Sequence, residues 1–462
     1  MTTGHVAVID IGKTNAKLAL VDLTDLSELA VITRPNRVLP GPPWPHFDIE
    51  GHWAFLLNGL REFHARHGIS AISITTHGAC AALLARDGAL AAPILDYEHP
   101  GPDAVAAEYD AIRPPFVETG SPRLGRGLNI GAQLFWQFAT DPGLAARTHR
   151  IVTYPQYWGH RLTGVAATDV TSLGCHTDLW NPHEGCLSSL ADTLEIGNKI
   201  APARKSGDVL GTILPDIVAQ TGLPPETPVY CGIHDSNASL LPHIIGNAQP
   251  FSVVSTGTWV VAMAVGGRDV VLDPDKDVLI NVNAFGDPVP SARFMGGREH
   301  DLATQGTCPE PADHDLSRIL TELRMLLPAM VADSGPFRGC TARWIGAEPA
   351  PGTALRSAAV ALYLALVTAT CLDSIGHQGV IIVEGPFAAN RFYLRMLAVA
   401  TNSTIVASHS ATGTSQGAAL ATCGAIPQPL AADVIPPSEE AFYPGMQAYA
   451  QAWARHIGNA ST

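Results

Sequence analysis

Two stretches of this chain share one pattern of apolar and polar positions: an apolar run, a short turn of small and polar residues, then a second apolar run. They are His5 to Asp22 (HVAVIDIGKTNAKLALVD) and Phe251 to Gly266 (FSVVSTGTWVVAMAVG). β-Branched residues crowd both arms, and Gly12 or Gly257 sits where the chain must reverse, so each stretch predicts a β-hairpin. Their recurrence implies a loose internal duplication. The second copy follows the loop-like Leu241 to Pro250 (LPHIIGNAQP), which places a boundary between domains 1–245 and 246–462.

Between the hairpins, apolar strands alternate with helical stretches. Ile69 to Thr75 (ISAISIT) reads as a strand and Ile130 to Ala139 (IGAQLFWQFA) as a helix, an α/β pattern. In the second half, Gly379 to Val383 is a strand, Asn390 to Ala400 an amphipathic helix and Ser403 to Ala407 another strand, the order of a βαβ unit. Ser357 to Leu372 is the most apolar stretch. It is short of a membrane span and bounded by Arg356 and Asp373, so it predicts a buried helix. Glu439 to Ile457 predicts a closing helix carrying Tyr443, Tyr449 and Trp453, whereas Asp301 to Ala347, richer in Pro, Gly and charge, fits no element.

Composition narrows the class. The chain has 462 residues, 46% of them hydrophobic, enough for two domains with their own cores. Lys plus Arg number 28 against 42 Asp plus Glu, a net charge of −14, which argues against a nucleic-acid or anionic-membrane partner and for a small molecule. Eight scattered cysteines with no C-x-x-C pair predict reduced thiols rather than a zinc knuckle or disulfide scaffold. With no apolar signal segment after Met1, a cytoplasmic location is expected.

The turns carry the candidate chemistry. A hairpin turn rich in Gly, Thr and Ser can array backbone N–H groups around phosphate oxygens. The first also offers Asp10, a carboxylate for hydrated Mg²⁺, and Lys17, a cation for phosphate. Alone, each turn is only a hairpin; two at equivalent places could hold one polyphosphate. Asp235, in Tyr230 to Ser239 (YCGIHDSNAS), follows a strand-like run. It is equally placed to cap a helix or to act at the strand's C-terminal edge, where α/β sheets bind ligands. His77 in Thr75 to Gly78 (TTHG), and Asp96 and Glu98 in Pro93 to His99 (PILDYEH), read by themselves as a structural histidine and solvated loop acids.

Gly413-Thr414-Ser415-Gln416-Gly417 matches G-x-S-x-G, with Asp433 and His456 following in the order of a hydrolase triad. A hydrolase needs most of its sheet ahead of that elbow, and the reading leaves both phosphate hairpins unexplained. Small residues opening a packed helix are the better account.

In their order and spacing these pieces resemble the FGGY carbohydrate kinases, over Asp10 to about Gly424. Asp10-Ile11-Gly12-Lys13-Thr14-Asn15-Ala16-Lys17 is similar to that family's D-x-G-T-[TS]-x-x-[KR], with Lys13 in place of the usual Thr. Ser255-Thr256-Gly257-Thr258-Trp259 resembles the second phosphate motif, Gly232-Ile233-His234-Asp235 the G-x-H-D segment, Thr76-His77-Gly78 the M-H-G segment, and Leu162-Thr163-Gly164 the L-T-G segment. Thr171 to Trp180 and the first motif are similar to the fuculokinase and rhamnulokinase branch.

The resemblance implies an α/β, two-domain duplicated actin-like ATPase (ribonuclease H-like) fold with the active site in the interdomain cleft. It implies ATP and Mg²⁺ as cofactors and a small sugar or polyol as acceptor, a ketose such as a deoxy-ketohexose or ketopentose. A homodimer is compatible with it. Asp235 becomes the catalytic base and, with Asp10, a metal-binding residue. Gly12, Lys13, Thr14, Asn15, Lys17, Thr256, Gly257, Thr258, Gly385 and Asn390 become nucleotide contacts. His77, Gly78, Asp96, Glu98 and Asp235 become acceptor contacts. Lys13 either adds charge near the γ-phosphate or points to solvent. The adenosine-side loop, usually Gly-Gly-Gly followed by Asn, here reads Glu384-Gly385-Pro386-Phe387-Ala388-Ala389-Asn390. That departure motivates the alternative of a sugar- or nucleotide-binding relative without transfer, against which Asp10 and Asp235 stand.

Overall fold

The computed structural model describes residues 4–306, 309–408, 413–424, 432–437 and 442–458. They form two compact units: the described residues of Met1–Gly246, Ile280–Pro288 and Thr412–Pro429, and those of Asn247–Leu279, Val289–Ala411 and Leu430–Thr462. Where the sequence places one cut after residue 245, the chain passes between the units several times.

In the first unit, β1 (His5–Ile11) and β2 (Asn15–Asp22) form the antiparallel hairpin around Gly12. β3 (Ala71–Thr76) lies parallel to β1, and β4 (Ile233–His234) lies parallel to the end of β3 and runs directly into helix α1 (Asp235–Gly246). Strand β1 is apolar throughout because it is covered on both faces. Ala7, Ile9 and Ile11 pack in one cluster with Leu56 and Leu60 of helix Ile49–His67 and Trp158 of helix Tyr154–Thr163. Val6 and Val8 pack in another with Ala238 and Leu241 of α1 and Ala418 to Leu420 of helix Thr414–Leu420. Alternate strand residues face opposite sides, so Asp10 falls on the side of these two helices. Their crossing is tight: a Cβ on Gly417 would lie 1.7 Å from the Ala238 carbonyl oxygen. Helix α1 continues through residues 241–246, where the sequence reads as a loop, because Leu240, Leu241 and His243 are buried.

The second unit repeats the frame. β5 (Phe251–Thr256) and β6 (Val260–Val265) form the second hairpin, helix α2 (Gly296–Thr304) follows, and β7 (Val380–Glu384) runs parallel to β5. Helix Arg391–Thr401 leads from β7 to the parallel strand Ile405–Ser408, the βαβ unit expected from the sequence. Helix Ala354–Ser374 is long and apolar enough to cross a membrane, but 78% of its most apolar stretch is buried, as for the core helix predicted there. Segment 301–347, which the sequence leaves without an element, supplies helix Asp313–Glu322 and the strand pair Met325–Leu327 with Arg343–Ile345. The closing helix is Tyr443–Gly458; the Tyr449 hydroxyl and the Trp453 indole N–H donate to the carbonyls of Arg324 and Leu326, both at 2.8 Å. The expected start at Glu439 lies outside the described residues.

Candidate active site

Asp10 ends β1 beside Thr75 of β3 and Lys17 of β2, and α1 begins with Asp235 one strand further across the sheet. The Thr414 hydroxyl donates to Asp10 Oδ2 at 2.5 Å, the Ser415 hydroxyl lies 3.4 Å from the same oxygen, and Lys17 Nζ lies 3.6 Å away. Burial raises the Asp10 pKa; the Thr414 hydrogen bond and Lys17 offset this in part, and the charge of Asp235 adds to the rise. A buried carboxylate with a second, partly exposed one within electrostatic reach and a hydroxyl beside it suits a hard cation that keeps most of its waters, as Mg²⁺ does. Among the described residues no group of three or more His, Cys, Asp or Glu is arranged to cage a metal. Asp235 is about one-third exposed and accepts from the Ser236 backbone N–H at 2.6 Å. Lys17 also contacts Glu28 at 3.2 Å, so its ammonium sits between two carboxylates.

The acceptor-side residues gather around His77. Its backbone N–H donates to the Ile11 carbonyl at 2.9 Å, which ties the end of β3 to the turn of the first hairpin. The ring packs among Phe47, Tyr97 and Tyr154, and Nδ1 meets the Gly78 carbonyl at 2.8 Å. Burial lowers the pKa to about 4, so the ring is neutral near pH 7, and its Nε2 is buried with no protein hydrogen-bond partner. Asp96 is buried and Glu98 exposed, which makes Asp96 the inner acid of the loop.

Lys13 takes neither of the two directions expected of it. Its ammonium contacts Asp96 directly, lies 3.2 Å from Glu98, and sits 4.6 Å from the centre of the Tyr97 ring and 5.4 Å from that of Phe47. The physical reason is the short reach from the turn to the acidic loop, where two carboxylates and two ring faces outcompete solvent. Thr14 and Asn15 are exposed at the turn, whose Gly12 and Thr14 carbonyls are held by the Asn36 side chain and backbone N–H, each at 2.8 Å.

Gly78 has a steric reason. A Cβ there would lie 2.5 Å from His234 Nε2, the nitrogen that stands 3.4 Å from Asp235 Oδ1. Burial disfavours charge on His234, but Cys175 and Asp235 outweigh it and raise its pKa; His176 and His234 correspondingly lower that of the buried Cys175 despite its desolvation.

In the second unit, a cavity of about 590 Å³ is lined by Gly257 and Thr258 of the hairpin turn, Gly297, Arg298, His300 and Asp301 of α2, and Pro386, Phe387 and Asn390. Turn and helix touch: a Cβ on Gly297 would lie 2.3 Å from the Gly257 carbonyl oxygen. Thr256 does not offer its hydroxyl to the cavity. It donates to the Glu384 carbonyl at 2.6 Å and accepts from the Phe387 N–H at 3.0 Å. Gly385 has φ +82° and lies against the Thr256 carbonyl, 2.0 Å from where a Cβ would stand, so the loop's one glycine sits where only glycine fits. Asn390 both lines the cavity and caps the following helix through the Tyr393 N–H.

Sequence reasoning missed Tyr97, Phe47, Thr414, Arg298 and His300. Only Thr414 carried a signal, inside the G-x-S-x-G match. There Ser415 is fully buried, with its hydroxyl 3.4 Å from Asp10, at the start of the packed helix Thr414–Leu420.

An α/β frame that recurs in both units, each with a glycine hairpin, and in the first unit two carboxylates near an aromatic-lined cluster, is the architecture of the actin-like ATPase class. Residues 5–242 match the N-terminal domain of the FGGY family of carbohydrate kinases and residues 248–430 match "Carbohydrate kinase FGGY, C-terminal domain"; the chain belongs to this family. A carbohydrate kinase from Novosphingobium aromaticivorans superposes with a TM-score of 0.91 at 36% identity, covering 100% of both chains. A ligand-bound xylulose kinase from Lactobacillus acidophilus shares the fold, with a TM-score of 0.78 at 15% identity over 99% of this chain and 98% of that one. L-Fuculokinase of Salmonella typhi is 24% identical over 271 residues, 57% of each chain, so the chain matches just over half that relative's length. L-Fuculokinase of Escherichia coli K12 is 28% identical over 212 residues, 44% of this chain and 42% of that one. Kinases of the FGGY family use ATP with Mg²⁺ and transfer phosphate to an alcohol group.

Proposed function

We propose that this protein transfers the γ-phosphate of ATP to a hydroxyl of a small sugar or polyol, with Asp235 as the base. The observation that carries the reading is the cluster around His77, where a buried, neutral imidazole keeps an unpartnered Nε2 within electrostatic reach of Asp235. A buried polar atom without a partner is costly, and a substrate hydroxyl would satisfy it. Asp96 supplies an acceptor, Tyr97 and Phe47 supply apolar faces for the C–H side of a sugar, and Asp235 orients the attacking hydroxyl and accepts its proton. Asp10 and Asp235 would hold Mg²⁺ through water, and the ion, when bound, neutralises phosphate charge as it develops. In the second unit, Gly257 and Thr258 offer backbone N–H groups, while the Phe387 and Asn390 wall takes the nucleoside.

The L-fuculokinase relatives favour a deoxy-ketohexose as acceptor. Free thiols at all seven cysteines among the described residues favour the cytoplasm. The non-catalytic alternative rested on the altered loop after Glu384, and that loop's glycine and capping asparagine keep their structural places. A screen of ADP release over ketopentoses, deoxy-ketohexoses, aldoses and polyols tests the proposal. Turnover of a neutral sugar with strict Mg²⁺ dependence is expected; sugar binding by calorimetry with no ADP across the panel overturns it.

A further inference from the structure

We propose that Lys13, although it stands in the phosphate turn, is an acceptor-binding and specificity-determining residue that makes the pocket select neutral polyhydroxylated substrates over anionic ones. For the reaction this rests on the kinase reading above; for binding it stands on the contacts of Lys13 alone. Lys13 lies between Gly12 and Thr14, where a phosphate contact would be expected from the chain order. Its ammonium is instead drawn across to Asp96 and Glu98 and lies over the Tyr97 and Phe47 rings, with its side chain three-quarters buried. An ammonium has three N–H donors. Two are engaged by Asp96 and Glu98, which leaves one for a hydroxyl in the same pocket that His77 and Asp235 face.

The charges decide what can sit there. Lys13 offsets one of the two loop carboxylates, and Asp235 adds a further negative charge that is felt at both His77 and Tyr97. His77 is neutral, and His234 is balanced by Cys175. Among these residues the carboxylates Asp96, Glu98 and Asp235 outnumber the one cation Lys13, so an acceptor bearing a carboxylate or phosphate meets net repulsion. A neutral sugar finds one donor, Lys13, and three acceptors, Asp96, His77 Nε2 and Asp235, which suit its hydroxyl hydrogens. The same wiring keeps Lys13 away from the triphosphate, so the usual threonine of the motif is replaced without adding charge to the nucleotide side.

Lys13→Met and Glu98→Gln, made in the full chain, test this with ATP alone and with acceptors. Lys13→Met is expected to weaken the neutral sugar, by KM or calorimetric Kd, about tenfold or more, the loss typical of a charged hydrogen bond. ATP affinity should stay within about twofold of wild type, because no phosphate contact is removed. Glu98→Gln, at an exposed position, should improve gluconate relative to the neutral sugar about fivefold, because the variant carries one carboxylate fewer beside the bound acceptor. Weaker ATP binding by more than about fivefold with an unchanged sugar KM would put Lys13 on the phosphate and overturn the proposal. So would wild-type turnover of gluconate as efficient as that of any neutral sugar, or a Glu98→Gln enzyme with unaltered preference. The ATP titration needs no acceptor, so it reads the role of Lys13 even where the screen finds no turnover and the kinase reading fails.

Discussion

The two glycine hairpins share a frame and differ in what hangs on it. In the first, Asp10 pairs with Lys17 across the hairpin and with Thr75 on the parallel side; in the second, the corresponding Ser255 pairs with Val261 and Glu384. The first turn is thus ringed by charges, with Lys13 tied to Asp96 and Glu98 and Asp10 tied to Thr414. The second is held by backbone packing, with Gly297 against Gly257 and the Thr256 hydroxyl bonded to the loop after β7. One copy of the frame carries charged side chains at its turn and the other is held by close backbone packing. Duplication preserved the strand pairing because pairing needs only backbone, while side chains at matched positions were free to diverge.

The comparison is most exposed at Asp235. Asp235→Asn should lower kcat by about 10²- to 10⁴-fold, roughly 3 to 5 kcal/mol of barrier, with the melting temperature unchanged because the side chain is partly exposed. A fully active variant would remove the reactive role from the first unit. Next comes Gly297→Ala, whose Cβ would meet the Gly257 carbonyl at 2.3 Å. Backbone cannot yield as a side-chain tip can, so a loss of about 1 to 3 kcal/mol of stability is expected, together with a raised ATP KM. Sugar affinity measured by calorimetry without nucleotide should be unaffected; if it falls as much as ATP affinity does, the division of labour is wrong.

A smaller effect separates two histidines with similar titration. His77 in the first unit and His377 in the second, which meets Ser252 and Ser403 at 2.7 and 3.0 Å, are both lowered to about 4 by burial. An unfolded histidine takes up its proton near pH 6.5, at about 1.4 kcal/mol per unit of displacement. Between about pH 6.5 and 4 the unfolded chain therefore binds more protons than the folded one, and stability, complete above that window, declines as pH falls through it. Urea unfolding at pH 7, 6 and 5 should show a flatter decline in His77→Gln and a similar flattening in His377→Gln, because the two displacements are alike, whereas only His77→Gln should weaken sugar binding. Equal slopes in wild type and His77→Gln would contradict a neutral, desolvated ring in the pocket. The smallest change is expected of Ser415→Ala. The hydroxyl is a long contact to Asp10, so the kinase rate should stay within about threefold and a fluorophosphonate should label neither protein. Labelling of wild type alone would revive the hydrolase reading.

Much of the frame was legible because it is written in local pattern. Both hairpins, the βαβ unit from β7 to Ile405–Ser408 and the core helix Ala354–Ser374 follow from apolar runs, turn residues and period. Residues 241–246 were misread as a loop because Pro242 and Gly246 look like breaks, while the burial of Leu240, Leu241 and His243 that keeps α1 helical is a tertiary fact. In the site, Asp10, Asp235 and His77 could be singled out by motif, since strand ends fix where such side chains stand.

Their partners could not. The sequence by itself determined the duplicated hairpins, the carboxylates at the strand ends and the glycines that let the chain turn. Only the tertiary structure decided that Lys13 meets Asp96 and Glu98, that Thr414, 404 residues from Asp10, donates to it, and that Gly78 clears space for His234. The physical reason is reach. Local pattern fixes backbone and the face a side chain takes, but a charged group ends on whichever partner three-dimensional packing brings within a few ångströms, at whatever distance in sequence.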